Sequence, residues 1–415
     1  MCVKVACVGG GPAGLYLSIL LKLRDPAHEI TVHERDPEGS TYGWGVTYWR
    51  GLLDRLHAHD PESARAVGEH SARWRDGVAH LGGPVARHRG DEGFGIGRHR
   101  LLEILAARAR SLGVRVAYED EVTASDPPDA DLVVAADGVR SALRTAYADH
   151  FGTRIRTGRN PYLWLGTTKV LDAFTFAFAE TAHGWIWAYG YGYGPRGSTC
   201  VVECAPGTWS GLGLDRAEEA EGLALLEDLF AGVLDGHPLT GRAAPGAGPA
   251  PWTTFRTLTN RTWSRGNLVL LGDAAHTTHY SVGAGTTLAL EDAMALAAAL
   301  DGERGLPAAL ARYERERRAA LLPVQSAARY SAQWYENLPR YIGLPPEVMF
   351  ALLGQRHSPL LPHVPPQMYY RLDRAAGRLE PLRRLKHWLG PRVARAVQAR
   401  SMPDAAGERR VPAAR

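Results

Sequence analysis

The chain has 415 residues, 45% of them apolar, which is enough for a large core and, at this length, two closely associated domains. A formal charge of +4 with scattered arginines excludes the basic stripe of a nucleic-acid binder. No apolar run reaches the ~18 residues of a membrane span, and the strand pattern begins at Val3, so a cytoplasmic protein without a cleaved leader is expected.

The opening stretch "VKVACVGGGPAGLYLSILLKL" reads as an apolar strand, a glycine turn and an apolar helix. Gly9, Gly11 and Gly14 fit G-x-G-x-x-G, with Pro12 and Ala13 between the last two; Pro12 suits a first helical turn, where its missing N–H costs nothing. Free amides and the positive end of the helix dipole then face a phosphate group. A second strand, "EITVHE", ends at Glu34, twenty residues after Gly14 and placed to accept the hydroxyls of an adenosine ribose. Neighbouring Arg35 favours a 2′-phosphate, but Glu34 argues for an unphosphorylated ribose. This unit serves NAD and FAD proteins alike. Cys2, Cys7, Cys200 and Cys204 form neither a disulfide framework nor a metal knuckle, and no metal is expected.

Further along, "TYGWGVTYW" supplies Trp44, Gly45 and Val46 in a glycine-rich turn, and "GIGRHRLLEIL" starts a helix near Arg98. "ADLVVAADGVRSALR" ends a strand at Asp137 and Gly138 and continues in the pattern D-G-x-x-S-x-x-R through Ser141 and Arg144. From about Pro161 to Phe255 the text turns strand-like. "WIWAYGYGY" puts Trp185, Trp187, Tyr189, Tyr191 and Tyr193 on one strand face, either as core or as the roof over an aromatic ligand. Glu203 and His183 are weaker site candidates in the same region.

A second glycine turn follows the apolar strand "NLVLLG". Gly272 and Asp273 stand at its carboxyl end, and Gly283, Ala284, Gly285 and Thr286 open a late helix. A dinucleotide with a ribose at each end needs only the first turn. FAD is longer, and its ribityl chain and flavin edge suit a late Asp and a late helix N-terminus, so the two turns are expected to hold the two ends of one molecule. From Pro323 onward amphipathic helices are expected, ending in a tail whose composition predicts disorder.

GGGPAG at 9–14, DG-x-x-S-x-x-R at 137–144 and GDAAH at 272–276 together resemble the single-component FAD-dependent aromatic hydroxylases, over roughly residues 1–320. The resemblance implies an α/β fold like that of p-hydroxybenzoate hydroxylase: a Rossmann-like FAD-binding domain, a β-sheet substrate domain and C-terminal helices. It divides the chain into an FAD-binding domain at 1–75, 97–160 and 265–322, a substrate sheet at 76–96 and 161–264, a helical region at 323–400 and a tail at 401–415. It also implies FAD contacts from Arg98, a ribityl ligand in Asp273, and a role for Asp137 in binding FAD and the nicotinamide. The activity implied is hydroxylation of an electron-rich aromatic ring by NADH or NADPH and O2, through a hydroperoxide at flavin C4a; the single dinucleotide fingerprint implies a transient nicotinamide visit. Where most of that family has a proline, this chain has His279 and Tyr280 in "TTHYSVGAG". That pattern, with "NPYLWLGTTK", "DAFTFAF" and "YSAQWYEN", is similar to the branch of salicylyl-CoA 5-hydroxylase, anthraniloyl-CoA monooxygenase and violacein-pathway hydroxylases. His279 and Tyr280 are therefore the catalytic candidates, and Trp185, Trp187, Tyr189, Tyr191 and Glu203 the substrate-binding ones.

Trp185–Trp187 also touches the W-x-W-x-I-P motif of flavin halogenases, but Ile-Pro is missing and no lysine stands between Lys22 and Lys169, which disfavours halogenation. Two alternatives remain open at this point: an FAD reductase or dehydrogenase without oxygen insertion, and a non-catalytic flavin-binding protein. The substrate is read as a phenol, hydroxypyridine or indole of a natural-product pathway or an aromatic acyl-CoA, and the protein as a monomer or homo-oligomer.

Overall fold

The computed structural model describes residues 3–41, 43–241, 250–378, 390, 392–396 and 398–399. Cys2, Tyr42 and the tail 401–415 lie outside them. Lys4–Val8 (β1) is apolar after its first residue and buried there, as a parallel strand covered on both faces should be. Beside it run Glu29–His33 (β2), Arg115–Ala117 (β6), Leu132–Ala135 (β7), Ser264–Arg265 (β14) and Leu268–Leu270 (β15), in the order β14-β15-β7-β1-β2-β6. Every pairing is parallel except that of β14 with β15. The opening helix Pro12–Arg24 and the late helix Gly285–Gly302 pack on this sheet, with Leu15, Tyr16, Leu17, Val134, Leu270 and Ala297 at the centre of its core.

The second sheet combines Gly45–Trp49 (β3), Ala72–Leu81 (β4), Val85–Gly97 (β5), Arg154–Thr167 (β8), Phe174–Thr181 (β9), Gly184–Gly194 (β10), Gly197–Cys204 (β11), Leu239–Thr240 (β12) and Thr253–Thr259 (β13). Its order is β12-β8-β11-β10-β9-β4-β5-β3, with β13 also on β8, and only the β4–β9 pairing is parallel. Alternation sorts its side chains. Ile186, Ala188, Cys200, Val202 and Cys204 face a core with Leu226 and Phe230. Trp187, Tyr189 and Val201 face Trp334, Tyr335, Leu338 and Tyr341 of the C-terminal part.

The boundaries drawn from sequence cut through elements. Those at 75/76, 96/97 and 160/161 fall inside β4, β5 and β8, each of which continues unbroken across them in the second sheet. Likewise 264/265 falls inside β14, and 322/323 inside the helix Leu306–Glu336. A proline within a helix costs about 3 kcal/mol. Burial of Leu321, Ser326, Ala328 and Tyr330 on either side of Pro323 holds the helix continuous.

Candidate active site

At the first turn, Gly9 has φ +113°, and a Cβ there would stand 2.4 Å from the Ala136 carbonyl oxygen. A Cβ on Gly14 would stand 2.3 Å from the Gly9 oxygen, so both glycines let helix meet strand. Gly11 differs: nothing lies within 4 Å of its would-be Cβ. It is the N-cap of the opening helix with no side-chain cap, so the first amides face open space. Pro12 and Ala13 are buried. Glu34 accepts from the Gly10 amide (2.7 Å) and the Asp36 amide (3.0 Å), which fastens the second strand to the turn. The Arg35 side chain is exposed beside Asp36.

The late turn abuts the first. Gly272 has φ +61°, and a Cβ on it would lie 3.1 Å from the Ala13 Cβ. Asp273 is exposed at its surface, yet enough protein surrounds it that burial raises its carboxyl above the usual range, against the lowering by His276 and Arg98. Arg98, whose amide donates to the Trp44 carbonyl (2.7 Å), carries a buried Nε with no hydrogen-bond partner. Burial lowers its pKa, and the charges that counter this are Asp273 and Glu34, one from each turn. Arg98 therefore feels a carboxylate from each of the two turns. Gly283, at φ +61°, leaves room for Thr47, whose Oγ1 lies 2.6 Å from where a Cβ would be. Nothing approaches the corresponding point of Gly285. Ala284 is the N-cap of the late helix, again without a side-chain cap, and Thr286 is half-buried in its first turn.

The middle fingerprint ties these parts together. Asp137 accepts from the Ala142 amide through Oδ2 (2.8 Å), while its Oδ1 is buried without a partner. Gly138 turns the chain at φ +78° and Ser141 caps the following short helix. Arg144 donates to the Val139 carbonyl (2.7 Å) and to the Ala274 carbonyl (3.3 Å), joining the D-G-x-x-S-x-x-R segment to GDAAH. Gly45 is pinned by Thr199 Oγ1 (2.8 Å to its amide) and by the Tyr191 hydroxyl, which donates to its carbonyl (2.9 Å). Trp44 covers Gly166, and Val46 is buried. The orphaned Arg98 Nε and Asp137 Oδ1, with open space over Gly11 and Gly285, fit an FAD.

Behind the late turn is a network that sequence reading missed. Asp292 accepts from His276 Nε2 (2.8 Å), Arg317 Nε (2.6 Å) and the Gly272 amide (3.2 Å). Burial pushes its carboxyl up, but His276 and Arg317 outweigh this and hold it below the usual range.

The loop between the two halves of the late turn joins residues from three regions. His279 Nδ1 pairs with the Ser281 hydroxyl (2.8 Å), and burial, aided by the Arg356 charge, pushes its pKa down to about 3, so the ring is neutral. Ser281 Oγ meets Ser331 Oγ (2.7 Å); Arg356 donates to Ser331 Oγ (3.1 Å), the Ser281 carbonyl (2.9 Å) and the Leu353 carbonyl (2.9 Å). The Tyr280 ring lies 4.4 Å from those of Tyr162 and His279, and its hydroxyl donates to Glu203 Oε2. Asn160 donates to Glu203 Oε1 (2.7 Å). The sequence candidates thus separate. Trp187 is 2% exposed and stacks on Tyr335 at 5.7 Å, inside the core. Tyr189 and Tyr191 are buried beside it, Trp185 is half-buried and His183 is exposed on a turn. Asn160 and Ser331 lie in the stretches "NPYLWLGTTK" and "YSAQWYEN" without having been singled out as site residues, and Arg356 lies in no such stretch.

A model of an FAD binding domain matches residues 243–326. Salicyloyl-CoA 5-hydroxylase of a Streptomyces species is 39% identical over 82% of this chain, which spans 66% of that protein's length. The 3-hydroxy-4-methyl-anthranilyl-[aryl-carrier protein] 5-monooxygenase of Streptosporangium sibiricum is 38% identical, over 81% of this chain and 90% of its own. Among solved structures, PqsL of P. aeruginosa in complex with 2-aminobenzoylacetate superposes with a TM-score of 0.65 at 20% identity, over 85% of this chain and all of its own, and so shares the fold. Among the described residues no helix is long and apolar enough to cross a membrane. With those degrees of identity over four fifths of the chain, it belongs to the FAD-dependent aromatic hydroxylases, a family of flavoprotein monooxygenases.

Proposed function

We propose that this protein hydroxylates an aromatic ring bearing a hydroxyl or amino group, presented as a thioester of coenzyme A or of a carrier protein, with NADH or NADPH as reductant. Arg98 carries the reading: its buried Nε is unsatisfied and the carboxylates of both turns act on it, which, with the close approach of the turns at Ala13 and Gly272, supports one FAD held from the first turn to the late one. When bound, FAD supplies the redox and oxygen chemistry. The chain's own residues orient it. Gly9, Gly11, Pro12, Ala13, Gly14, Glu34 and Arg35 surround the adenosine diphosphate end. Asp137, Gly138, Gly272 and Asp273 take the ribityl chain, and Trp44, Gly45, Val46 with Gly283–Thr286 the redox end. Tyr189, Tyr280 and Glu203 shape the substrate side, and neutral His279 offers shape and a hydrogen-bond acceptor rather than charge. The thioester class follows from the names of the two relatives above. A nicotinamide reductant argues for a cytoplasmic enzyme, and a homo-oligomer is our reading of its assembly.

Two variants separate fold from binding. Asp273→Ala is expected to purify with most of its yellow flavin lost, and normal visible flavin absorbance per chain would remove Asp273 from the ribityl role. Gly11→Ala should keep the wild-type melting temperature of the flavin-free protein, since its Cβ meets nothing, yet fail to retain FAD. NAD(P)H oxidation with salicyloyl-CoA and with free salicylate tests the substrate class; a free acid that outperforms its thioester would end the thioester reading.

A further inference from the structure

The aromatic face of the second sheet contains one ionisable group that packing does not require. Glu203 is 1% exposed and makes no ion pair among the described residues; Arg356 acts on its neighbours Tyr335 and His279, the latter stacked on Tyr280, without pairing with Glu203 itself. The groups facing it are Asn160 and Tyr162 of β8, Trp187 and Tyr189 of β10, Tyr335 and Glu336 of the helix Leu306–Glu336, and Tyr280 of the loop. The one charge among them, Glu336, is negative. The Trp187 N–H lies close enough to favour the carboxylate but makes no hydrogen bond of good geometry. A glutamine at this position would pair as well, its oxygen accepting from Tyr280 and its amide donating to a turned Asn160. It would avoid the several kcal/mol of effective desolvation penalty that a buried ion carries. Groups kept at such a cost cluster where protons are handled.

We propose that Glu203 stores the proton released by the aromatic substrate, with the Tyr280 hydroxyl carrying it between them. This rests on the hydroxylase reading above. As the ring hydroxyl or amino group gives its proton to the Tyr280 oxygen, the Tyr280 O–H bond breaks and a new O–H bond forms on Glu203 Oε2. The ring heteroatom keeps the electron pair and activates the ring toward the O2-derived oxygen donor. When the C–O bond has formed, the ring C–H proton goes to the oxygen left on that donor, and the stored proton returns through Tyr280 to the heteroatom. Burial pushes the Tyr280 hydroxyl well above the usual tyrosine range, so it does not release a proton except as it gains one. Burial also holds Glu203 up at about 7, where a stored proton is neither too tightly nor too loosely held. Glu203 is thus a positioning residue for the proton, acting through Tyr280.

The decisive measurement needs no substrate. In infrared difference spectra of the FAD-loaded protein from about pH 5 to 9, a protonated-carboxyl band should titrate near neutrality and be absent from E203Q. A Glu203 band already lost in the ordinary glutamate range near ~4.3 overturns the proposal. With salicyloyl-CoA as probe, E203Q should lower kcat about 100-fold and flatten its pH dependence near neutrality. Its KM should move less than about twofold, and flavin reduction by NADH should stay at the wild-type rate. E203D should recover part of the loss, and Y280F should match E203Q without adding to it in the double variant. E203Q with the wild-type kcat and pH profile sinks the idea. Should wild type ignore salicyloyl-CoA while Glu203 titrates near neutrality, the thioester reading falls and the proton store is supported.

Discussion

Asp292 and Glu203 are both buried carboxylates, 0% and 1% exposed, and their surroundings drive them in opposite directions. Asp292 receives His276, Arg317 and a backbone amide, so its charge is matched and its pKa falls. Glu203 receives two neutral donors and no cation, so burial dominates and its pKa rises to about 7. Depth alone does not decide what a buried acid is for. A matched charge behaves as part of the scaffold, and an unmatched one becomes a group that titrates near the pH of the cell.

The contrast can be broken at three points. Asp292→Asn leaves Arg317 and His276 facing an amide, and breaking a buried pair this way costs about 3–5 kcal/mol. Urea unfolding of the flavin-free protein should show it as a lower midpoint, and an unchanged midpoint would deny the network its scaffold role. Glu203→Gln should have the reverse sign. The folded pKa of Glu203 is raised, from 4.5 to about 7, so the folded state holds the proton longer and stability falls as pH rises through that window. At 1.36 kcal/mol per pKa unit this amounts to about 3 kcal/mol above neutrality, which the glutamine removes. E203Q should therefore melt above wild type at pH 8 and with it at low pH, and an equal gain at both would mean that Glu203 does not titrate in this range. Asp292, with a lowered pKa, shows the opposite dependence: its contribution is present above 3.8 and lost as pH falls through its folded value. The smallest effect is expected from Tyr280→Phe, which takes one donor from Glu203 and costs about 1 kcal/mol at pH 8, visible as a small fall in Tm.

Local spacing made the three glycine turns legible. The opening βαβ unit, the turn at Asp137 and the late turn are each contained within a few residues, and their glycines announce the backbone they need. The alternation of Trp185–Tyr189 gave the correct faces because a strand has period two. The rest depends on contacts between distant positions. Tyr280 meets Glu203 across 77 residues, and Asn160 meets it across 43, with no periodicity to connect them. Gly45–Trp49 read as a glycine-rich turn, yet it forms a strand because Gly93–Gly97 of β5 offers it an edge to pair with. His276 stood in view within GDAAH, but its partner Asp292 looked like an ordinary helical acid, and only the fold brings Arg317 to both.

Arg356 changes how the last third of the chain should be regarded. Its three bonds fasten the Ser281 carbonyl to Ser331 and to the end of the helix Pro346–Gly354. A chain cut ahead of it would retain both sheets and every glycine fingerprint while releasing one mooring of the segment that leads into the helix Gly285–Gly302. The C-terminal arm is therefore tied to the loop that carries His279 and Tyr280, and swaps of segments between relatives should carry it along with the rest.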